Sequence, residues 1–556
     1  MAGNRVNVTL ENGSILEVEK GTKIHEIAKF YEKNKKEPIV GAKINGEIIS
    51  MDLPITKNTT IEFLDMTSTD GMKLTRKGLT FVAEVALKEV YKNDFELIIN
   101  HSIAHGLHMT VVGNRKFTLQ DAQKLKEKMN EIIQADEPIL EVNVDKEQAI
   151  DYFNKVKATE KSANIHNVTN DIVTVYKLRN YINYFYSKMP YKTGCLKKYN
   201  LVFLDNNKLV LLFPARMLNL KVPEYVHYQN IIECYERGNK WLEQLGIPYL
   251  SDLNRKISEC KIKDVIKIVE TKFDNDMFDL VNDVIAKKAR YILLAGPSSS
   301  GKTTTTKRIA LQLRSRGYDA LVLSTDNYFK ERVDSPRDAE GHYDFECLEC
   351  IDLKLLNKQL KDLLAGKKVA IPEFNFVTGK KEYNSEPIKI TDKTIILMEG
   401  LHCINDAMTP DIPAKLKYKV YLSPFIPLSI DRHNYISSTD LRLMRRIVRD
   451  NRSRAYDVGV TITYWNKVKA GEQKHIYPFT NKVDKVLNTS LIYEIGVLKV
   501  FVEPLLYSVK PTSPAYNEAR RIINSLRGFF PIPSEYVPGN SIEREFIGNS
   551  EFENYN

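Results

Sequence analysis

The sequence predicts a multidomain chain: a small β-rich module, a longer α+β region, and then an α/β domain built on a parallel sheet. Three observations carry this. The 556 residues exceed what one hydrophobic core usually supports. Near the N-terminus "VNVTL", "ENGS" and "ILEVE" alternate, turn and alternate again, as a hairpin does. From 291, "YILLAGPSSSGKTTTTKRIALQLRSRGYDALVLSTD" reads as buried strand, glycine-containing loop, helix and second strand, the unit from which parallel sheets are assembled.

Composition narrows the function classes. With 43% hydrophobic and 27% charged residues the chain is globular. "MAGNRVNVTL" has no apolar segment behind a basic one, and no run reaches the ~18 apolar residues that span a bilayer. Secretion and membrane insertion are therefore not expected, and a cytoplasmic location is. Six scattered cysteines (Cys195, Cys234, Cys260, Cys347, Cys350, Cys403) fit reduced thiols, and "ECLECID" has no second CxxC to complete a zinc site. The net charge of +10 is spread through every segment without a long basic run, as on a solvated surface rather than a nucleic-acid face. A site for polyanionic phosphates would use part of that excess.

Residues 1–66 continue with a helix after Gly21 in "KGTKIHEIAKFYEKN" and further strands in "VGAKINGEIISMDLPITKNTTIEFL". This stretch resembles a TGS domain, the ubiquitin-like β-grasp module of threonyl-tRNA synthetases and some GTPases, which implies partner binding or positioning without chemistry. Residues 67–222 resemble the second domain of threonyl-tRNA synthetase through "FTLQDAQKLKEKMNEIIQADEPILEVNVDKEQAIDYF" and "YKTGCLKKYNL". In that family an HxxxH pair at the start of the helix after the TGS module, with a Cys and a His four residues apart, holds zinc at an editing site. The matching positions here are Lys77, Phe81, Phe185 and Met189, none of them suited to zinc. "HSIAHGLH" does place His101 and His105 at HxxxH spacing, but it falls later, where the resemblance implies a strand and a turn with Gly106 as the turn glycine. The pair is expected to be structural and the editing site degenerate. Residues 223–288 have helical spacing punctuated by Gly246 and Pro248 and read as a helical connector.

The chemistry concentrates in the α/β domain. Gly296-Pro297-Ser298-Ser299-Ser300-Gly301-Lys302-Thr303 is a complete GxxxxGK[ST], with strand before and helix after. Backbone N–H groups of such a loop, through Thr304, cradle the phosphates of a nucleotide such as ATP; Lys302 reaches the β/γ oxygens and Thr303 offers a hydroxyl to Mg²⁺. The next strand ends in Thr325-Asp326, where a carboxylate beside the loop could accept the proton of an attacking hydroxyl. By itself such an Asp serves equally as a helix cap.

The ordered set "STDNYFKE", "YDFECLECID", "AGKKVAIPEFNF", "IILMEGLH" and "DLRLMRRIVRDNRSR" resembles the uridine kinase and phosphoribulokinase family over residues 289–505. The resemblance implies Asp326 as general base, acting with Lys302 and Arg449, and Asp344 on ribose hydroxyls. It places Glu399 with Thr303 at Mg²⁺, Arg446 toward the nucleoside, and Arg449 and Arg454 toward phosphates. Arg442, Arg445, Arg446 and Arg449 also share one helix face by spacing, as lid arginines that neutralise a transferring phosphoryl would. Two departures stand out. "EFNFVTGKK" offers Phe374 and Phe376 where uridine kinases read the base with Tyr and His, which leaves stacking, with His342 or His402 as substitutes for polar readout; and Tyr456 replaces a final lid arginine. Residues 506–556 read as a helix and a Pro/Gly-punctuated tail ending near "SIEREFIG".

The expected function is ATP- and Mg²⁺-dependent phosphoryl transfer to the 5′-hydroxyl of a nucleoside. Two alternatives remain: an ATP-sensing RNA- or translation-associated binding protein, and a kinase of a sugar phosphate or other small acceptor. A homo-oligomer, and a nucleic-acid contact through the N-terminal half, are compatible with the sequence.

Overall fold

The computed structural model describes residues 5–32, 35–337, 341, 343–344, 346–375 and 377–553. Five short strands open the chain as a mixed sheet in the order Ile15–Glu19, Arg5–Leu10, Thr59–Leu64, Gly41–Ile44, Glu47–Ile49, with the helix Ile24–Glu32 packed on it. This is the β-grasp arrangement. Only one face is buried: Val6, Val8 and Leu10 point into a core shared with Ile24, Ile27 and Ile61, while their neighbours are solvated.

Ser68 caps the next helix, Thr69–Tyr91, by accepting from the Gly71 N–H. That helix lies on a four-stranded antiparallel sheet ordered Asn200–Phe203, Lys208–Leu212, Gly106–Gly113, Phe95–Ile103. The helix Leu119–Gln134, the strand Leu140–Asp145 and the helix Lys146–Lys155 follow. The turn at 104–106 departs from expectation. Ala104 takes the left-handed backbone (φ 50°), and Gly106 instead begins the strand, where a Cβ would meet Val210 Cγ1 at 2.7 Å. Gly106 is thus required by sheet packing rather than by the turn.

The helices Gln229–Leu245, Leu250–Ser258 and Ile262–Ala286 lead to a five-stranded, fully parallel sheet. Its order is Asp319–Ser324, Thr394–Glu399, Tyr291–Ala295, Lys417–Ser423, Lys485–Asn488. The central strand Tyr291–Ala295 and its neighbour Thr394–Glu399 are apolar almost throughout, as strands buried on both faces are. No helix among the described residues is long and apolar enough to cross a membrane.

A small hairpin, Ser429–Asp431 with Asn434–Tyr435, leaves this sheet and inserts into the N-terminal half. Asp431 accepts from Lys161 Nζ at 2.7 Å with both side chains at most 1% exposed, Asn164 donates to the Ile430 carbonyl at 2.8 Å, and Asn434 donates to the Tyr184 carbonyl at 3.0 Å. The helix Ser438–Arg454 starts just after the hairpin, capped by Ser437 and stopped at left-handed Ala455.

Candidate functional site

The loop between the strand Tyr291–Ala295 and the helix Lys302–Arg314 follows the pattern expected of a phosphate cradle. Ser299 (φ 59°) and Gly301 (φ 86°) both take left-handed backbone, so successive N–H groups turn toward one concavity. A side chain at Gly301 would also strike Ile542 Cγ2 at 2.6 Å. From beneath, Thr489 Oγ1 donates to the Ser300 carbonyl at 2.6 Å and Arg445 Nη1 to the Ser299 carbonyl at 3.4 Å. The Ser299 and Ser300 hydroxyls are buried without a hydrogen-bond partner, and Thr303 is exposed at the mouth. Lys302 Nζ curls back to the Gly296 and Pro297 carbonyls at 3.0 and 3.3 Å.

Sheet register fixes the acids. Ser324 and Leu294 both pair with Glu399, so Asp326, two residues past Ser324, and Glu399 lie at adjacent strand ends beside the loop. Burial pushes the Glu399 carboxyl up to about 7, with Asp326 and Glu545 raising it further against the pull of Lys302. Asp326 has exposed surface at the cleft, yet the protein around it raises its pKa, with Lys302 and Arg454 opposing. Asp344 accepts from the Glu346 N–H at 3.0 Å. Burial also raises Glu346, which feels Arg446, Lys302, Asp344 and Asp326. Mutual electrostatic influence places Lys302, Asp326, Asp344, Glu346, Glu399, Arg446 and Arg454 near one another beside the loop. Glu346 was not singled out in the sequence, although it lies two residues from Asp344.

The arginine helix divides differently from its spacing. Arg446 Nη1 donates to Ser298 Oγ at 3.2 Å, and Arg446, Arg449 and Arg454 are all held by the buried Asp450, at 3.1, 2.8 and 3.8 Å. Arg442 and Arg445 turn inward instead. Arg442 pairs with Glu472 at 2.6 Å and Arg445 with Glu494 at 2.7 Å, at 1% and 0% exposure. They belong to the core and are not lid arginines; carboxylates 30 and 49 residues further along neutralise them.

The acceptor side needs corrections. Phe374 is 8% exposed and packs edge-on against Phe329, ring centroids 5.7 Å apart, so it is not an open stacking wall. Phe376 and His342 lie outside the described residues. His402 is 2% exposed, in edge contact with His475, and burial holds it down to about 4. Tyr456 is exposed.

The C-terminal segment supplies what the sequence did not disclose. Glu545 Oε2 accepts from the Thr304 N–H at 3.1 Å and from Thr304 Oγ1 at 2.9 Å. A carboxylate of the same chain thus occupies one of the donors expected to cradle a phosphate. Lys307 Nζ donates to the Phe552 carbonyl at 2.9 Å, and Ile542 and Phe546 are buried behind the loop.

In the N-terminal half the four zinc-equivalent positions are built over. Phe81 and Phe185 meet edge-to-face at 5.3 Å and Met189 joins the same core, leaving only Lys77 facing a cavity. His101 stacks on Tyr235 at 3.7 Å and on His108 at 5.1 Å, buried in its strand, while His105 sits in the turn. Among the described residues no group of three or more His, Cys, Asp or Glu side chains is arranged to hold a metal.

Residues 291–491 match the Phosphoribulokinase / Uridine kinase family. Over 195 residues the chain is 28% identical to a uridine kinase of Ligilactobacillus salivarius, covering 35% of this chain and 82% of that one. Over 248 residues it is 25% identical to a threonine–tRNA ligase of Desulforamulus reducens, covering 43% of this chain and 39% of the ligase. The chain thus spans about two fifths of the length of that ligase. A solved structure described as a possible uridine kinase of Bacillus stearothermophilus is similar at 23% identity and a TM-score of 0.22, over 26% of this chain and 79% of that one.

Proposed function

We propose, from the match of residues 291–491 to the Phosphoribulokinase / Uridine kinase family, that the chain is an ATP- and Mg²⁺-dependent kinase that phosphorylates the 5′-hydroxyl of a nucleoside. The observation that carries this reading is Asp326 beside a complete phosphate loop, at a strand end adjacent to Glu399 and under the electrostatic influence of Lys302 and Arg454. A nucleotide sensor needs the cradle but no base beside it.

The donor set suits the proposed ligands. Hydroxyl and carboxylate oxygens of Thr303 and Glu399 are the hard ligands Mg²⁺ prefers, and the ion when bound would neutralise phosphate charge. Asp326 accepts the proton of the acceptor hydroxyl, its raised pKa making it a stronger base than a free aspartate. Lys302 exchanges its loop carbonyls for phosphate oxygens. Arg446, Arg449 and Arg454, aligned by Asp450, offer charge to the transferring group. Asp344 holds the ribose diol.

The acceptor panel tests the reading. An apolar surround cannot strongly reject one base for another, whereas a hydrogen-bonding site does so by ~10⁴ or more. Phe374 and His402 are both buried, so kcat/KM for uridine, cytidine, adenosine and inosine is expected to fall within about 10²-fold, with 2′-deoxyuridine well below. A preference for one base above about 10⁴ contradicts this.

Glu545 sets a second expectation. Its carboxylate competes for the Thr304 N–H and repels incoming phosphate, so Glu545→Ala should tighten ADP binding by roughly tenfold, the weight of one charged hydrogen bond. Calorimetry giving unchanged or weaker affinity would remove Glu545 from the nucleotide site.

A further inference from the structure

A cavity of about 50 Å³ opens between the helix Thr69–Tyr91 and the inserted hairpin, far in sequence from the phosphate loop. Arg76, Lys77, Ser102, His105, Phe213 and Tyr435 contribute to its wall, and no Asp or Glu lines it. Arg76 and Lys77 are spent on rings rather than carboxylates: the guanidinium lies 5.2 Å from the Phe213 centroid and the ammonium 5.9 Å from that of Tyr435. Arg76 Nε is buried without a hydrogen-bond partner. So is Nε2 of His433, which also lines the cavity at 5% exposure and has Glu84 3.7 Å away. Two acids act on Lys77 at longer range, Asp431 and Asp440, but each is committed elsewhere, to Lys161 at 2.7 Å and to Arg521 at 2.6 Å.

Burial holds Lys77 down to about 8 and lowers Arg76 as well, as expected of cations that lack a counter-charge. Such cations are costly, and a bound anion relieves the cost. The space is several times the 10–15 Å³ that admits one water, which is room for a phosphate-sized group. We propose that this cavity binds a small oxyanion, phosphate or a short carboxylate, gripped by Arg76 and Lys77 with Ser102 and His105 as further donors. The chemistry is the inverse of a metal site: where the synthetase resemblance puts zinc ligands, this chain presents positive charge. The occupant touches Tyr435, two residues before the arginine helix begins at Ser437–Ser438, so it would bear on the base of that helix.

The test needs no catalytic activity. Inorganic phosphate and, separately, acetate are titrated by calorimetry into the full chain, into Lys302→Ala, and into Arg76→Gln/Lys77→Gln. Binding of either anion that survives Lys302→Ala and weakens at least about tenfold in the double variant is the expected result, and the tighter anion identifies the class. Binding that disappears with Lys302→Ala, or that the double variant leaves unchanged, overturns the site. Should the double variant misfold, wild-type crystals soaked in tungstate decide: an anomalous peak within hydrogen-bond reach of Arg76 and Lys77 supports the site, and density confined to the phosphate loop refutes it.

Discussion

Asp326→Asn is expected to lower phosphoryl transfer by at least about 10²-fold while leaving the protein folded, because removing a general base typically costs 10²–10⁴ and the residue is exposed at the cleft rather than packed in the core. Lys302→Ala should cost at least as much. In this chemistry positioning and charge stabilisation supply most of the rate, and Lys302 is the cation that pulls against the raised pKa of both Asp326 and Glu399. The amide introduced by Asp326→Asn keeps the shape of the carboxylate but cannot take a proton. Single-turnover rates at saturating ATP, with circular dichroism to verify folding, measure both effects. Near-normal turnover in either variant would exclude that residue from the mechanism.

The largest expected effect on stability lies beneath the loop. Arg445 joins four parts of the fold: Glu494 through its Nε at 2.8 Å, the Thr489 carbonyl at 2.8 Å, the Ser299 carbonyl of the phosphate loop, and the Phe546 ring of the C-terminal segment at 4.8 Å. Glu543, fully buried, leans on Glu494, and burial with that neighbour pushes its carboxyl far above the usual range. Arg445→Ala would strand Glu494 without its counter-charge. Breaking a buried pair from one side costs about 3–5 kcal/mol, which for a domain of this size lowers the melting temperature on the order of 10 °C. Arg445→Lys should recover little, since an ammonium cannot serve acceptors in several directions as the planar guanidinium does. A melting temperature within about 2 °C of wild type for Arg445→Ala would show that the network contributes far less than its burial implies.

What could be read from the sequence was what local chemistry dictates. The phosphate loop declares itself because strand, glycines, lysine and helix are contiguous, and Asp326 follows from its place at a strand end, whereas Glu399 came only through the family resemblance. The arginine helix shows the limit. Spacing put four arginines on one face, but their partners Glu472 and Glu494 sit on later helices, and only those partners make Arg442 and Arg445 core residues. Glu545 lies 241 residues from the Thr304 it contacts, so no local pattern joins them. Ala104 adopts left-handed backbone where a glycine stood two residues away to claim the turn. The hairpin Ser429–Tyr435 has no periodicity that announces insertion into a region more than 250 residues earlier.

The most direct measurement of the central claim is ³¹P NMR of the wild-type reaction with ATP, Mg²⁺ and a ribonucleoside. A new phosphomonoester resonance on the nucleoside should grow in step with ADP and be absent when the nucleoside is omitted. ATP that binds but is never turned over with any acceptor, or that yields only inorganic phosphate, would contradict the account.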